Sequence, residues 1–344
     1  MHIEKLGILL EPSHFHFEHK GVFNPAVIEH NDQLWMLYRA TTDNGISTWG
    51  RCLLDTPSSV LERDNEPYIV PTESYEKMGI EDPRIVRIED RFYITYTAYD
   101  GMTARGALMV SDDLIHFERK GILTPQMTYR DFHQCLDACD GLNRKYQRFS
   151  RLFHTRAGEE TFLNMQLWDK DVVFFPRKIN GQFAFLHRIY PDIQLVLCDD
   201  LMDLSYSFWK TYLFTLRDHI VLSGKYTFES SYIGAGCPPI ETAHGWILIY
   251  HGVQDTTDGY VYAAGVALLD LNNPTHELSR LAHPLFLPDL IWEKEGNTPH
   301  VVFPVSAFIQ GDQLYIYYGA ADQRIGILRL SLTDLINELL ATIE

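Results

Sequence analysis

The sequence predicts an all-β chain, a five-bladed β-propeller, on three observations. A pair of short strands recurs five times, the recurrence interval suits a four-stranded blade, and strand-forming aromatics are abundant. The first repeat runs from Asn24-Pro25 into Leu34-Trp35-Met36-Leu37-Tyr38, the second from Asp82-Pro83 into Phe92-Tyr93-Ile94-Thr95-Tyr96. The third runs from Phe175-Pro176 into Phe183-Ala184-Phe185-Leu186-His187. Pro238-Pro239 leads to Trp246-Ile247-Leu248-Ile249-Tyr250, and Phe303-Pro304 to Leu314-Tyr315-Ile316-Tyr317-Tyr318. Polar or glycine-containing turns separate each pair, as hairpins require: His30-Asn31-Asp32, Glu89-Asp90, Asn180-Gly181, His244-Gly245 and Gly311-Asp312. Pro25, Pro83, Pro176, Pro239 and Pro304 lie 58, 93, 63 and 65 residues apart, so one blade carries an insertion.

A further alternating strand follows each pair, for example Gly106-Ala107-Leu108-Met109-Val110 and Ala264-Gly265-Val266-Ala267-Leu268-Leu269. The insertion spans 131–167 and contains Arg144-Lys145-Tyr146-Gln147-Arg148-Phe149. Its mixed charge and weak alternation predict a helical excursion or a long loop rimming the site. Thr333 to Leu340 reads as a short capped helix. Nothing marks a linker, so residues 1–344 read as one domain. A β-sandwich with coincidental prolines is the rival topology.

Composition narrows the function. The 19 Tyr, 19 Phe and 6 Trp suit strands and also suit stacking on sugar rings. A formal charge of −17 offers no basic field for phosphate backbones, which argues against nucleic acid as a partner. A small anion needs only a local cluster of cations and stays open. The N-terminus does not read as a signal peptide, and no segment is long and apolar enough to span a membrane. Five irregularly spaced cysteines do not form a disulfide framework, so a reducing cytoplasm is the expected location.

Propeller blades radiate from a central channel, so equivalent positions on the inner strands face one another. The residue before each repeat proline is Asn24, Asp82, Phe175, Pro238 or Phe303. The residue closing the second strand is followed by Arg39, Thr97, Arg188, His251 or Gly319. Two arginines and a histidine in one repeated slot predict an anion site near the axis of an acidic protein. The structural alternative is that each pairs with a local carboxylate such as Glu81 or Asp171.

Several segments resemble glycoside hydrolase family 130. They are Gly21-Val22-Phe23-Asn24-Pro25-Ala26, Tyr38-Arg39-Ala40, Gly79-Ile80-Glu81-Asp82-Pro83-Arg84-Ile85 and Tyr96-Thr97-Ala98-Tyr99-Asp100. Lys170-Asp171 with Phe175-Pro176, Ile233-Gly234-Ala235-Gly236, Tyr250-His251-Gly252-Val253, Leu268-Leu269-Asp270 and Tyr318-Gly319-Ala320-Ala321-Asp322 continue the likeness in order. The resemblance implies a five-bladed propeller and, for most members, inverting phosphorolysis of β-mannosides; some members hydrolyse β-1,2-mannosides. It implies Asp82 as the catalytic acid, its proton passing through a sugar hydroxyl to the leaving oxygen. Lys170, Arg188, His251 and Tyr262 are implied as the phosphate set. Asn24, Arg39 and Asp322 are implied contacts to the transferred mannosyl unit; Glu81, beside the acid, is grouped with them. The chain departs from the family at Lys170-Asp171, where some members carry Arg-Asn, although Lys-Asp also resembles the β-1,2-acting branch. Tyr232 stands where members often have a basic residue, and the insertion has no counterpart.

The chemistry of the residues agrees with that resemblance. An inverting hydrolase needs an acid and a base, because water must be deprotonated to attack. Phosphate is already an anion, so a phosphorylase needs one acid and a group of cations to hold the attacker. The expected reaction is attack by phosphate on a β-mannoside, with β-1,2 the expected linkage, yielding α-mannose 1-phosphate and a shortened acceptor. Inorganic phosphate is then co-substrate and mannooligosaccharide the substrate; no cofactor or metal is implied, and a homo-oligomer stays open. The alternatives are an inverting β-1,2-mannosidase, with Asp171, Glu229 or Asp322 as base, and a non-catalytic glycan-binding propeller. His14-Phe15-His16 and the Cys135/Cys139/His133 group are weak metal signals, better read as packing. Gly234-Ala235-Gly236 lacks the strand-to-helix context of a dinucleotide site and suggests close backbone approach to a ligand.

Overall fold

In the computed structural model, which describes residues 1–139, 141–147 and 158–343, strand β1 (Ile3–Leu10) leads into five antiparallel blades. Blade 1 is β2 (Gly21–His30), β3 (Gln33–Thr41), β4 (Ser47–Thr56) and β5 (Ser59–Arg63). Blade 2 is β6 (Gly79–Ile88), β7 (Arg91–Tyr99), β8 (Ala104–Ser111) and β9 (Glu118–Ile122). In blade 3, helices α1 (Tyr129–Ala138) and α2 (Glu159–Leu163) precede β10 (Lys170–Phe174), β11 (Phe183–Arg188) and β12 (Ile193–Cys198). Helix α3 (Tyr206–Phe214) then separates β12 from β13 (Ile220–Leu222). Blade 4 holds β14 (Tyr232–Ala235), a short β15 (Ile240–Thr242), β16 (Gly245–Thr256), β17 (Gly259–Leu269) and β18 (Glu277–Arg280). Helix α4 (Ile291–Lys294) precedes blade 5: β19 (Val302–Gln310), β20 (Gln313–Ala320) and β21 (Arg324–Ser331). The missing fourth strand of blade 5 is β1, which pairs antiparallel with β21 from Ile3↔Leu330 to Leu10↔Ile325. The N-terminus therefore closes the ring, and the edge strand of blade 5 is covered.

The hairpin turns form where polar residues and glycine tolerate positive φ: Asn31 and Asp32 lie at φ 52° and 59°, Asn180 and Gly181 at 52° and 84°. The prolines do not mark one structural position, as the sequence suggested. Pro25 and Pro83 sit in β-bulges, where the register skips between Phe23 and Ala26 and between Glu81 and Arg84. A bulge leaves an N–H outside the ladder, so proline loses nothing there. In blade 3 the bulge falls between Lys170 and Val173, and Pro176 lies beyond β10. Pro238 and Pro239 follow β14, and in blade 5 the skip lies between Pro304 and Ser306. The slot built from Arg39, Thr97, Arg188, His251 and Gly319 is registered throughout: they pair with Phe23, Glu81, Lys170, Gly234 and Phe303.

The described part of the insertion is helical over much of its length, in α1 and α2. Phe132, Cys135 and Leu136 of α1 and Phe162 of α2 pack with Trp209, Tyr212 and Leu213 of α3, against Val86, Leu108, Phe174 and Phe185 of blades 2 and 3. Asp140 and residues 148–157, including Arg148 and Phe149, lie outside the described residues. Helix α5 (Leu332–Leu340) is capped two residues before the start that the sequence suggested: Ser331 Oγ accepts from Asp334 N at 3.1 Å. Its Leu335 and Leu339 bury against blades 4 and 5.

Candidate active site

The inner strands bend at their bulges, and the bending aims side chains at the axis. Asn24, Asp82 and Asp171 each occupy the left-handed region, at φ 50°, 50° and 56°, one residue after Phe23, Glu81 and Lys170. Asn and Asp tolerate that region better than other side-chain-bearing residues, which explains the composition of this position. Asp171 is thus the blade-3 counterpart of Asn24 and Asp82, not Phe175. An Asn or Asp directly after the slot partner was the sequence signal that could have found it.

These residues enclose a cavity of about 150 Å³. Asn24, Arg39, Asp82, Lys170, Arg188, Tyr262 and Asp322 line it, as expected, together with Asp171, Tyr190, Thr298, Val301 and Phe303. Larger hollows of about 690 and 670 Å³ lie elsewhere and contain none of the slot residues. Glu81 and His251 are not in the cavity lining. Glu81 lies behind it, accepting from Arg39 Nη2 at 2.7 Å and Lys170 Nζ at 3.2 Å. His251 is fully buried behind Arg188, whose Nη1 lies 3.0 Å from His251 Nε2. Both act on the cavity through the cations that they touch.

Two half-sites emerge. In the first, Asp82 Oδ1 accepts from Asn24 Nδ2 at 2.8 Å and from Arg39 Nη1 at 3.3 Å. Arg39 is held by Ser47 Oγ through Nε at 2.9 Å. Gly319 makes room for this arrangement, since a Cβ there would lie 2.0 Å from Asn24 Oδ1. In the second half-site, Arg188 Nη1 lies 2.9 Å from Asp171 Oδ2, and its Nη2 donates to Tyr190 at 3.0 Å. Arg84 joins the halves: Nη2 reaches Asp171 Oδ1 at 3.4 Å and Nε donates to the Gly236 carbonyl at 2.8 Å. A Cβ on Gly234 would stand 2.4 Å from both Asp171 Oδ2 and His251 Cε1. Gly234 therefore admits these side chains, while a Cβ on Gly236 would meet the carbonyls of Pro304 and Ile249.

Electrostatics separate the acids. Burial would raise Asp82, but Arg39, Lys170, the Asn24 hydrogen bond and Arg84 outweigh it and hold the carboxyl below its ordinary range. Asp171 is likewise held low against burial by Arg188, His251 and Arg84. Asp322 moves the other way, raised by burial and by Asp82 against Thr298, Arg39 and Lys170. Burial would lower Lys170, yet Glu81 and Asp82 raise it, so the ammonium persists. Burial pushes His251 down to about 3, and Arg188 and Arg84 add to the shift against Asp171. The imidazole is neutral, and with Arg188 donating to Nε2 its proton sits on Nδ1. Among the described residues no three His, Cys, Asp or Glu side chains are grouped to hold a metal, and Cys135 is buried among apolar side chains.

Three aspartates set among Arg39, Lys170 and Arg188 on a five-bladed ring are an arrangement whose relatives can be sought. The Glyco_hydro_130 family model, described as beta-1,4-mannooligosaccharide phosphorylase, matches residues 8–340. The chain belongs to glycoside hydrolase family 130. It is 32% identical over 339 residues to a 1,2-beta-oligomannan phosphorylase of Thermoanaerobacter sp. (strain X514), covering 95% of this chain and 96% of that relative. A beta-1,2-mannobiose phosphorylase of the same organism is 31% identical over 334 residues, covering 93% of each chain. The fold matches the solved structure of a beta-1,2-mannobiose phosphorylase from Listeria innocua in complex with beta-1,2-mannobiose, with TM-score 0.73, 24% identity, and 99% and 100% of the two chains covered. Another fold neighbour, TM-score 0.73 and 22% identical, comes from work on family 130 hydrolases that target β-1,2-mannosidic linkages.

Proposed function

We propose that this enzyme is an inverting β-mannoside phosphorylase, acting on β-1,2-linked mannooligosaccharides and phosphate to give α-mannose 1-phosphate and an acceptor one unit shorter. The observation that carries the reading is the second half-site. Arg188 and Lys170 line the cavity as cations able to hold an anion, with neutral His251 buried behind Arg188, and a hydrolase would have no use for them. The β-1,2 linkage is supported by the names of the two relatives above 30% identity; the family model carries a β-1,4 description.

In the reaction, a phosphate oxygen attacks the anomeric carbon from the α face and the C1–O bond to the acceptor breaks. The leaving oxygen takes a proton that originates on Asp82, directly or through a sugar hydroxyl. Both hydrogen bonds to Asp82 fall on Oδ1, so Oδ2 is the oxygen that would carry this proton. The carboxyl is held low by Lys170 among others; a bound anion offsets those cations and raises Asp82 when the proton is needed. Arg39 and Asn24 then stabilise the carboxylate that remains.

The hydrolase alternative needs a base, and two of its three candidates are already committed. Glu229 is fully buried, accepts from Tyr250 and is paired with Arg280 at 3.2 Å. Asp171 is paired with Arg188. Asp322 remains: it lines the cavity, and because burial and Asp82 raise its pKa it is the carboxylate on which a hydrolase reading would rest. The test is incubation with β-1,2-mannobiose with and without phosphate. Turnover should require phosphate and yield mannose 1-phosphate; equal release of free mannose in phosphate-free buffer would establish the hydrolase instead. Cytoplasmic location suits the product, because a sugar phosphate is retained inside a cell.

A further inference from the structure

Three aromatic hydroxyl residues crowd the anion half-site, and only Tyr262 belongs to the set that the sequence singled out. The Arg188 guanidinium carbon lies 4.3 Å from the Tyr190 ring centroid and 5.3 Å from that of Tyr232. Those two rings meet edge to face, centroids 4.8 Å apart at 88°, and so form a corner around the cation. The Tyr232 and Tyr262 hydroxyls are hydrogen-bonded to each other.

A guanidinium has five N–H bonds. Arg188 directs Nη1 to Asp171 and His251 and one Nη2 hydrogen to the Tyr190 hydroxyl, while buried Nε has no partner among the described residues. Two donors are therefore hydrogen-bonded to protein, the Asp171 ion pair holds the Nη1 edge, and Nη2 keeps its second hydrogen for an anion in the cavity. Without the corner, Arg188 could swing about its long side chain, and holding it for the anion would cost rotamer entropy at each turnover.

We propose that Tyr190 and Tyr232 are positioning residues for phosphate: they fix the plane of Arg188 so that the hydrogen left on Nη2 faces the attacking anion. Tyr190 acts through its hydroxyl and its face. Tyr232 acts through its face and through the hydroxyl that orients Tyr262. The inference rests on the phosphorylase reading. Wild-type turnover that ignores phosphate would overturn both; phosphate-dependent turnover with unaffected variants would overturn this inference alone.

The experiment is steady-state kinetics at varied phosphate and fixed saturating β-1,2-mannobiose, and the converse, for Tyr190→Phe, Tyr232→Leu and Tyr232→Phe. Arg188→Ala marks the ceiling, and thermal melts verify folding. Tyr190→Phe removes one hydrogen bond to a charged group, so the phosphate KM should rise about tenfold or more with the mannobiose KM nearly unchanged. Tyr232→Leu removes a cation–π face and should raise the phosphate KM about three- to thirtyfold. Tyr232→Phe should recover most of that loss, because the face is restored; a purely structural residue would shift both KM values or the melting temperature instead. Phosphate KM values within twofold of wild type in Tyr190→Phe and Tyr232→Leu would overturn the proposal. So would equal losses for Tyr232→Leu and Tyr232→Phe, which would remove the ring face from it.

Discussion

Blades 1, 2, 4 and 5 are locked by one device, and blade 3 is locked by another. In the four, a fully buried glutamate on the short helix before the inner strand accepts from a tyrosine on the second strand and pairs with a cation on the fourth. The trios are Glu18–Tyr38–Arg63, Glu76–Tyr96–Arg119, Glu229–Tyr250–Arg280 and Glu293–Tyr318–Lys5. Even the blade closed by the N-terminus keeps the pattern, since Lys5 comes from β1. In blade 3 the tyrosine position is His187, fully buried between Asp169 at 2.7 Å and the Tyr212 hydroxyl at 2.7 Å. Tyr212 comes from α3, so the added helix supplies the missing lock. The neighbours of this network are Lys170 and Arg188, and Asp169 Oδ1 also accepts from the Arg188 amide at 3.3 Å. The difference teaches that a buried carboxylate in this fold is structural when it belongs to a trio and chemical when it stands at the bulge. Burial does not distinguish Glu229 from Asp82; position in the blade does.

Substitutions can test that distinction. The largest effect should come from Asp82→Asn, which keeps size and cannot supply the proton. Its kcat should fall about a thousandfold or more, with the melting temperature close to wild type. Retained turnover would mean that the acid lies elsewhere, with Glu81 the next residue to test. Glu76→Ala should do the reverse. It strands the Arg119 cation beside Tyr96, so denaturant unfolding should show a loss of about 3–5 kcal/mol while kcat of the folded enzyme is preserved. A stability loss below about 1 kcal/mol would mean that the trio is ornamental to blade 2.

The smallest effect should come from Asp192, at the head of β12 in blade 3. Burial raises its carboxyl to about 6 against the pull of the Tyr146 and Ser223 hydroxyls, Lys145 and Arg280. A folded-state pKa above the unfolded value of about 3.9 means that the native state holds the proton more tightly. Its contribution is full below about pH 4 and is lost as pH rises through about 6. Asp192→Asn should therefore melt about 2–4 °C above wild type at pH 8 and alongside it at pH 4. Equal melting at both values would show that Asp192 is not protonated in the native state.

The five-fold repeat, the hairpin turns and the slot residues Arg39, Arg188 and His251 were legible in the sequence because each follows a local rule. Period-two alternation marks strands, turn residues mark hairpins, and a repeat places equivalent residues at one radius. Proline was a poor ruler, since it is tolerated in a bulge, beyond a strand end or before a short strand, and all three occur here. What tertiary structure alone decided was which polar groups meet. The trios join residues 20 to 288 positions apart, and no spacing rule spans a ring closed by its own N-terminus. The assignment of Glu81 to the wall rather than the cavity, of His251 to the neutral form, and of Tyr190 and Tyr232 to the Arg188 corner came the same way. Each depends on burial and on distances between strands, which the chain acquires only when the blades pack.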